Sequence, residues 1–275
     1  MSLLKLTFTI CFLLLISGCG GSSGFPPTIT GVKAQSLMFG RTATIYLGGK
    51  DLRSNLVVDA GTACVNPSFA DNSSTDLLVL NCLVKAVGEF KLSVKTETGE
   101  LVYSGSLNVP KPEVALLTSK GTISVELESA LAPVSSANFL SYVGSGFYSN
   151  TIFHRVIAGF VIQAGGYTTG LVKKTGQLNP ILLESNNGLT NKRGTLAMAR
   201  TSVFNSATSE FYINLADNFS LDYKNAANPG YAVFGKVTQG LDVVDVIAAE
   251  PTGILSGFID VPLSDITINL VLQSK

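Results

Sequence analysis

The segment at residues 152–166, IFHRVIAGFVIQAGG, sets the chain's single histidine, His154, directly beside Arg155, with Gln163 further along the same apolar run. Such a segment is either an ordinary core strand with one exposed charge or the floor of a site. An imidazole invites the role of general base in a Ser-His-Asp hydrolase, but the adjoining guanidinium disfavours the imidazolium which that chemistry forms. A literal G-x-S-x-G at Gly20, Ser22 and Gly24 offers no nucleophile either, because a nucleophile elbow needs a strand before it and a helix after it. One histidine and four cysteines cannot build a multi-histidine metal centre, and no metal or other cofactor is implied. Nineteen basic residues balance nineteen acidic ones with no basic run, which argues against a nucleic-acid partner.

The elements around this segment read mainly as strands. In TATIYLGG, Ala43, Ile45 and Leu47 alternate with Thr42, Thr44 and Tyr46, the period of a half-buried strand. Residues 90–107 read as a hairpin turning at Thr98-Gly99, with Leu92 and Val94 facing inward and Lys91, Ser93 and Lys95 outward. Short strands with no helical period predict a small β-sandwich over 28–109. Pro110 and Pro112 then make a joint. Beyond it, a hairpin is predicted around Ser119-Lys120-Gly121, with Ile123, Val125 and Leu127 on one face. A helix is expected to start at Pro133 with a Val134, Ala137, Leu140 stripe and to stop at Gly144. A second helix, 241–251, should place Leu241, Val244 and Ile247 together, and a closing strand should bury Ile266, Ile268 and Leu270. Two helices among about eight strands predict a closed barrel with its ends covered by helices.

The N-terminus reads as an export signal. Lys5 precedes LTFTICFLLLIS, an apolar run too short for a comfortable membrane span. The sequence LISGC at 15–19 resembles a bacterial lipobox, which implies signal-peptide residues 1–18 and a lipidated Cys19. Residues 19–27 then form a flexible tether. More than one acyl chain on Cys19 would give stable membrane anchoring. Gly20 rather than Asp after it favours the outer membrane in an enterobacterial-type sorting system. The expected location is therefore the bacterial cell envelope, lipid-anchored and facing the periplasm. There Cys64 and Cys82 are most simply a disulfide, the alternative being two buried thiols.

Four blocks occur in order: TIFHRVIAGFVIQAGG, GTLAMART, NSATSEFYINLADNFSLD and GYAVFGKV. Together they resemble a cyclophilin-type peptidyl-prolyl isomerase over residues 113–275. The opening PPTITGV…GRTATIYLGGKDL resembles the immunoglobulin-like IPT/TIG domains. The first resemblance implies an eight-stranded barrel capped by two helices. It also implies Arg155 as the catalytic cation, with Gln163 orienting it and contacting the substrate backbone. Phe160, Val161, Tyr212 and Leu221 would form a proline pocket. His154, Ala199, Arg200, Glu210 and Tyr231 would complete the peptide site. The implied partner is a proline-containing segment of an exported protein.

The chemistry suits these residues. Rotation about an X-Pro bond faces a barrier of about 18–20 kcal/mol, because the amide nitrogen lends its lone pair to the carbonyl. In the twisted state that lone pair returns to nitrogen, where a fixed guanidinium can donate to it more strongly than in either planar state. The alternative is a cyclophilin-like fold kept as a peptide-binding or chaperone module without turnover. The sequence departs from the usual pattern at several places: Val161 stands for methionine, Tyr212 for phenylalanine, Glu210 for glutamine and Ser220 for a large aromatic. Tyr231 stands where many members have histidine, and QAGG stands for the usual QGGD. The loss of an aromatic wall at Ser220 implies weaker cyclosporin binding.

Overall fold

A computed structural model of the chain describes residues 25–52 and 55–275, so Cys19 of the expected lipobox and the expected signal segment 1–18 lie outside the described residues. The first half holds seven strands: β1 (Thr28–Gln35), β2 (Thr42–Lys50), β3 (Val57–Asp59), β4 (Cys64–Phe69), β5 (Leu77–Val84), β6 (Gly88–Lys95) and β7 (Leu101–Val109). They form an antiparallel sheet β1-β2-β5-β4 and a second sheet β3-β6-β7. Strand alternation makes the core: Ala43, Ile45 and Leu47 of β2 pack with Leu78, Leu80, Leu92 and Val94 in one buried cluster spanning both sheets. Gly99, at φ +89°, turns the β6–β7 hairpin in a backbone region that other residues rarely enter. Cys64 and Cys82, on neighbouring strands with Cα atoms 5.4 Å apart, are joined as a disulfide.

The second half is a closed barrel. Its strands are β8 (Glu113–Thr118), β9 (Gly121–Leu127), β10 (Thr151–Ile157), β11 (Val161–Thr168), β12 (Val172–Lys173), β13 (Thr195–Met198), β14 (Phe211–Asn214), β15 (Val233–Gln239), β16 (Thr252–Leu255), β17 (Phe258–Pro262) and β18 (Thr267–Gln273). The sheet runs β10-β18-β8-β9-β15-β13-β14-β11, and a further β10–β11 pairing closes it at eight strands. The short β12 hangs on β11, and β16–β17 is a separate hairpin. Inward-facing Ile123, Val125, Leu127, Ile162, Leu196, Phe211, Ile213 and Phe234 fill the interior, so the barrel is a packed core rather than a channel. Helices α1 (Pro133–Gly144) and α2 (Leu241–Ala248) cover its ends, contributing Phe139, Val143, Val244 and Ile247 to the same core.

Three sequence expectations shift. The buried face of α1 is Ser136, Phe139, Leu140 and Val143, while Val134 is exposed. Val134 and Ala137 instead line a groove shared with Phe39, Gly40 and Lys85 of the first half, so this helix serves two neighbours. Leu270 is exposed, and Val271 is buried in its place, because an irregularity between Ile268 and Leu270 in the β18–β8 pairing reverses the alternation. Leu241, expected on the buried stripe of α2, is more than a third exposed at the helix start. The first turn of α1 has no cap of its own. Glu184 supplies one from a distant loop, accepting from Val134 N at 3.1 Å and Ser135 N at 2.6 Å.

The two halves meet around Phe39, with Val87 packed against both cores. Phe39, 2% exposed, belongs to the barrel's core cluster although it lies between β1 and β2. Gln273 holds that loop in place: its Nε2 donates to Phe39 O at 3.2 Å and its Oε1 accepts from Arg41 Nε at 3.0 Å. Truncating a buried phenylalanine costs about 3–5 kcal/mol in a core. Phe39→Ala should therefore lower the unfolding free energy of the barrel by about 3 kcal/mol at most, because Phe39 sits at the core's margin. Denaturant unfolding followed by a barrel-specific probe checks this; an unchanged barrel midpoint would mean that the two halves are energetically independent.

Candidate active site

Because the barrel interior is full, a site has to form on the outer face of its strands. The β10–β11 pair puts Arg155 directly opposite Gln163, and the next strand puts Tyr212 opposite Gln163. Register shifts on either side of Phe153 and His154 mark a bulge in β10. Phe153 and Val156 both reach the core as a result, an odd–even pair that a regular strand could not bury together. Arg155 is left on the outside, with its side chain 36% exposed.

On this outer face lies a small apolar cluster of Val161, Ala197, Tyr212 and Val233, with Phe160, Leu221 and Tyr231 against it. It floors a cavity of about 230 Å³ whose edge carries Arg155 and Gln163 and whose far side carries Ala199 and Arg200. The tight turn before β11 is held by Asn218, whose Nδ2 donates to Phe160 O at 2.8 Å. Arg200 is a wall and not a free cation. Its Nε and Nη2 donate to Gly230 O at 3.1 and 2.8 Å, and its guanidinium lies 4.5 Å over the Tyr231 ring. Gly230 is required there, since it has φ +63° and a Cβ would stand 2.3 Å from Leu221 O.

The hydroxyl of Tyr212 finds a partner inside the protein. It donates to Oδ1 of the fully buried Asn191 at 2.9 Å, and Asn214 Nδ2 donates to the same oxygen at 3.2 Å. Asn191 is oriented in turn by Asp222 Oδ1, which accepts from its backbone N at 2.7 Å and its Nδ2 at 2.9 Å. Burial, followed by Tyr231 and Asp222, pushes the phenol well above its ordinary pKa, so it stays a donor throughout the physiological range. Asn191 and Asp222 were not singled out in the sequence; both lie in loops with no periodicity to mark them.

The remaining expected residues sit elsewhere. His154 does not line the cavity: it is 5% exposed and lies behind the site, its ring tilted against Tyr167 and its Nε2 3.3 Å from Glu210 Oε2. The bulge turns it away from the face that Arg155 occupies. Glu210 lines an adjoining cavity of about 340 Å³ that shares Gln163, Ala199 and Arg200 with the first. Ser220 lies in a third depression, beyond Arg200, with Asp222 and Gly230. Ser220 is therefore not a wall of the prolyl-sized cavity.

Asn191 keeps one donor, Asn214, when the phenol is removed. Tyr212→Phe should thus lower stability by about 1 kcal/mol, the worth of one hydrogen bond, and leave turnover within about twofold. Thermal unfolding and a peptide assay on the same protein check both; a large activity loss would give the hydroxyl a part in the chemistry.

Comparison with known proteins agrees with this geometry. The family model described as "Cyclophilin type peptidyl-prolyl cis-trans isomerase/CLD" matches residues 113–271. A peptidyl-prolyl cis-trans isomerase of Acinetobacter baylyi is 50% identical over 155 residues, covering 56% of this chain and 81% of that protein. Peptidyl-prolyl cis-trans isomerase B of Escherichia coli is 46% identical over 164 residues, 59% of this chain and 99% of its own length. Among solved structures, a cyclophilin type peptidyl-prolyl cis-trans isomerase of Cryptosporidium parvum has a TM-score of 0.50 at 26% identity, covering 60% of this chain and 99% of that one.

Proposed function

This chain belongs to the cyclophilin-type peptidyl-prolyl cis-trans isomerases, and on that premise we propose that it turns over X-Pro bonds of exported proteins by donation from Arg155 to the twisted amide nitrogen. Its activity is that of a peptidyl-prolyl cis-trans isomerase and its substrates are proline-containing peptides. The observation that carries the mechanism is the placing of Arg155 and Gln163 side by side at the edge of an apolar cavity. The prolyl ring enters the cavity floored by Val161 and Tyr212 and loses water there. The bond then twists under the guanidinium, which its strand holds at the cavity edge and whose donors are not engaged by a protein acceptor among the described residues. No proton leaves and no covalent intermediate forms.

The setting is proposed on separate grounds. LISGC at 15–19 supports lipidation of Cys19, and hence a membrane-anchored enzyme facing the periplasm, with the outer membrane favoured by Gly20. The Cys64–Cys82 disulfide supports an oxidising compartment. In this reading the sandwich, with its IPT/TIG-like opening, carries the barrel at a distance from the lipid surface.

Losing one transition-state donor typically costs about 2.7–4 kcal/mol. Arg155→Ala should therefore lower kcat/KM by about a hundredfold or more in a proline-peptide assay, with thermal unfolding nearly unchanged. Arg155→Lys should restore little, since a compact ammonium lacks the planar fork. A folded Arg155→Ala protein with most of its activity would refute the mechanism. Anchoring has its own check: Cys19→Ser should move the protein from the membrane fraction to the soluble one.

A further inference from the structure

Beside the prolyl cavity a carboxylate sits where the family resemblance implies a neutral amide. Glu210 Oε2 accepts from Gln163 Nε2 at 2.8 Å and lies 3.3 Å from His154 Nε2. His154 is buried, and its Nδ1 meets no protein partner. Nε2 is therefore the ring nitrogen that faces the carboxylate, while Nδ1 lies in the dry interior. Glu210 is thus held from two sides, by β10 through His154 and by β11 through Gln163.

The seat for that carboxylate is made by a missing side chain. A Cβ on Gly166 would stand 2.5 Å from Glu210 Oε1 and 2.6 Å from its Cδ. Gly166 is the last residue of QAGG, where the resembling family ends QGGD. The two departures, at 166 and at 210, therefore meet in space: the first leaves the room that the second fills.

We propose that Glu210 is a positioning residue that fixes which way the Gln163 amide points. A carboxylate only accepts, so Gln163 must turn its NH2 toward Glu210 and keep Oε1 as the amide's acceptor. A neutral amide at 210 could face Gln163 with either end and would impose no such choice. Since Gln163 stands opposite Arg155, the orientation decides what the catalytic guanidinium and the substrate backbone meet there. This inference rests on the proposed function for its catalytic consequence, but its geometric content stands apart from it.

The charged and titratable groups around Glu210 are His154 on β10, Tyr167 on β11, Lys173 on β12 and Arg200 after β13. Burial pushes the Glu210 carboxyl up, but the hydrogen-bonding His154 and Gln163, with Lys173, more than offset this, and its pKa lies below the ordinary carboxylate value. The sign follows from that depression. The arrangement is complete at neutral pH and is lost as pH falls through the lowered folded value.

The test combines NMR and kinetics on the mature protein. The side-chain NH2 resonances of Gln163, assigned by loss in Gln163→Ala, should shift as Glu210 titrates on the acid side of the ordinary carboxylate value, and the shift should vanish in Glu210→Gln. That variant should also lose about tenfold in kcat/KM at neutral pH, within the range that misplaced catalytic groups cost. Gly166→Ala, which pushes Glu210 out of its seat, should reproduce the loss with the carboxylate still present. Gln163 resonances that ignore Glu210, or two variants that change only thermal stability, would overturn the proposal. If Arg155→Ala kept its activity while the NMR coupling held, the proposed mechanism would fall and the positioning geometry would stand.

Discussion

Everything at this site depends on the pairing of β10 with β11. It is the seam that closes the barrel, and it converts two open edges into a continuous ring of backbone hydrogen bonds. The same seam sets Arg155 opposite Gln163. An arginine on an unpaired strand would sweep many rotamers. Here the register fixes its Cα, the bulge at Phe153 and His154 fixes which way it faces, and Phe153 and Val156 anchor the strand from inside. One structural element thus carries both fold closure and the geometry proposed for catalysis.

A packed barrel pushes function to its outer surface, and an outer surface is wet. The loops solve that problem with asparagines rather than with a second layer of strands. Asn191 satisfies Tyr212 from beneath the cavity, Asn218 secures the Phe160 turn, and Asn187 Nδ2 donates to Val233 O at 3.0 Å behind the apolar floor. Without Asn191 the buried Tyr212 hydroxyl would have no partner, a penalty of about 1–3 kcal/mol, whereas Asn218 adds a second bond to Phe160 O, which also accepts from Leu215 N at 2.9 Å. The long irregular segment between β12 and β13 is ordered by such contacts, including Leu178 N donating to Tyr142 Oη at 2.7 Å.

What the sequence made legible follows from this division. Strand periodicity identified the buried faces of β2, β6 and β9, because a period of two needs no knowledge of neighbours. Leu270 escaped it because a bulge breaks the period without a residue type to announce it. Val134 escaped because α1 packs on two bodies, and the groove it lines with Phe39 belongs to a contact between distant halves of the chain. The motif blocks brought out Arg155, Gln163, Phe160, Val161, Tyr212, Leu221 and Tyr231, which the fold gathers around one cavity. They also carried His154 to the same cavity, where the bulge does not put it. Asn191, Asp222 and Glu184 act through loops whose spatial neighbours are fixed only by the closed barrel.

The two arginines of the cavity show why the tethering of a cation matters more than its presence. Arg200 spends its donors on Gly230 O and Thr201 O and its face on Tyr231, so it is a rigid wall with little left to offer. Arg155 makes no hydrogen bond to a protein acceptor among the described residues, and the nearest carboxylate contact is 3.9 Å from its Nε to Asp260 Oδ2. Both groups are part-exposed, so that contact contributes little. A donor already satisfied in the resting protein would have to break a bond to meet the prolyl nitrogen, and the gain in the twisted state would shrink by that amount. A donor left free but aimed by its strand loses nothing on engagement. The site therefore holds Arg155 through its backbone and leaves its guanidinium unclaimed.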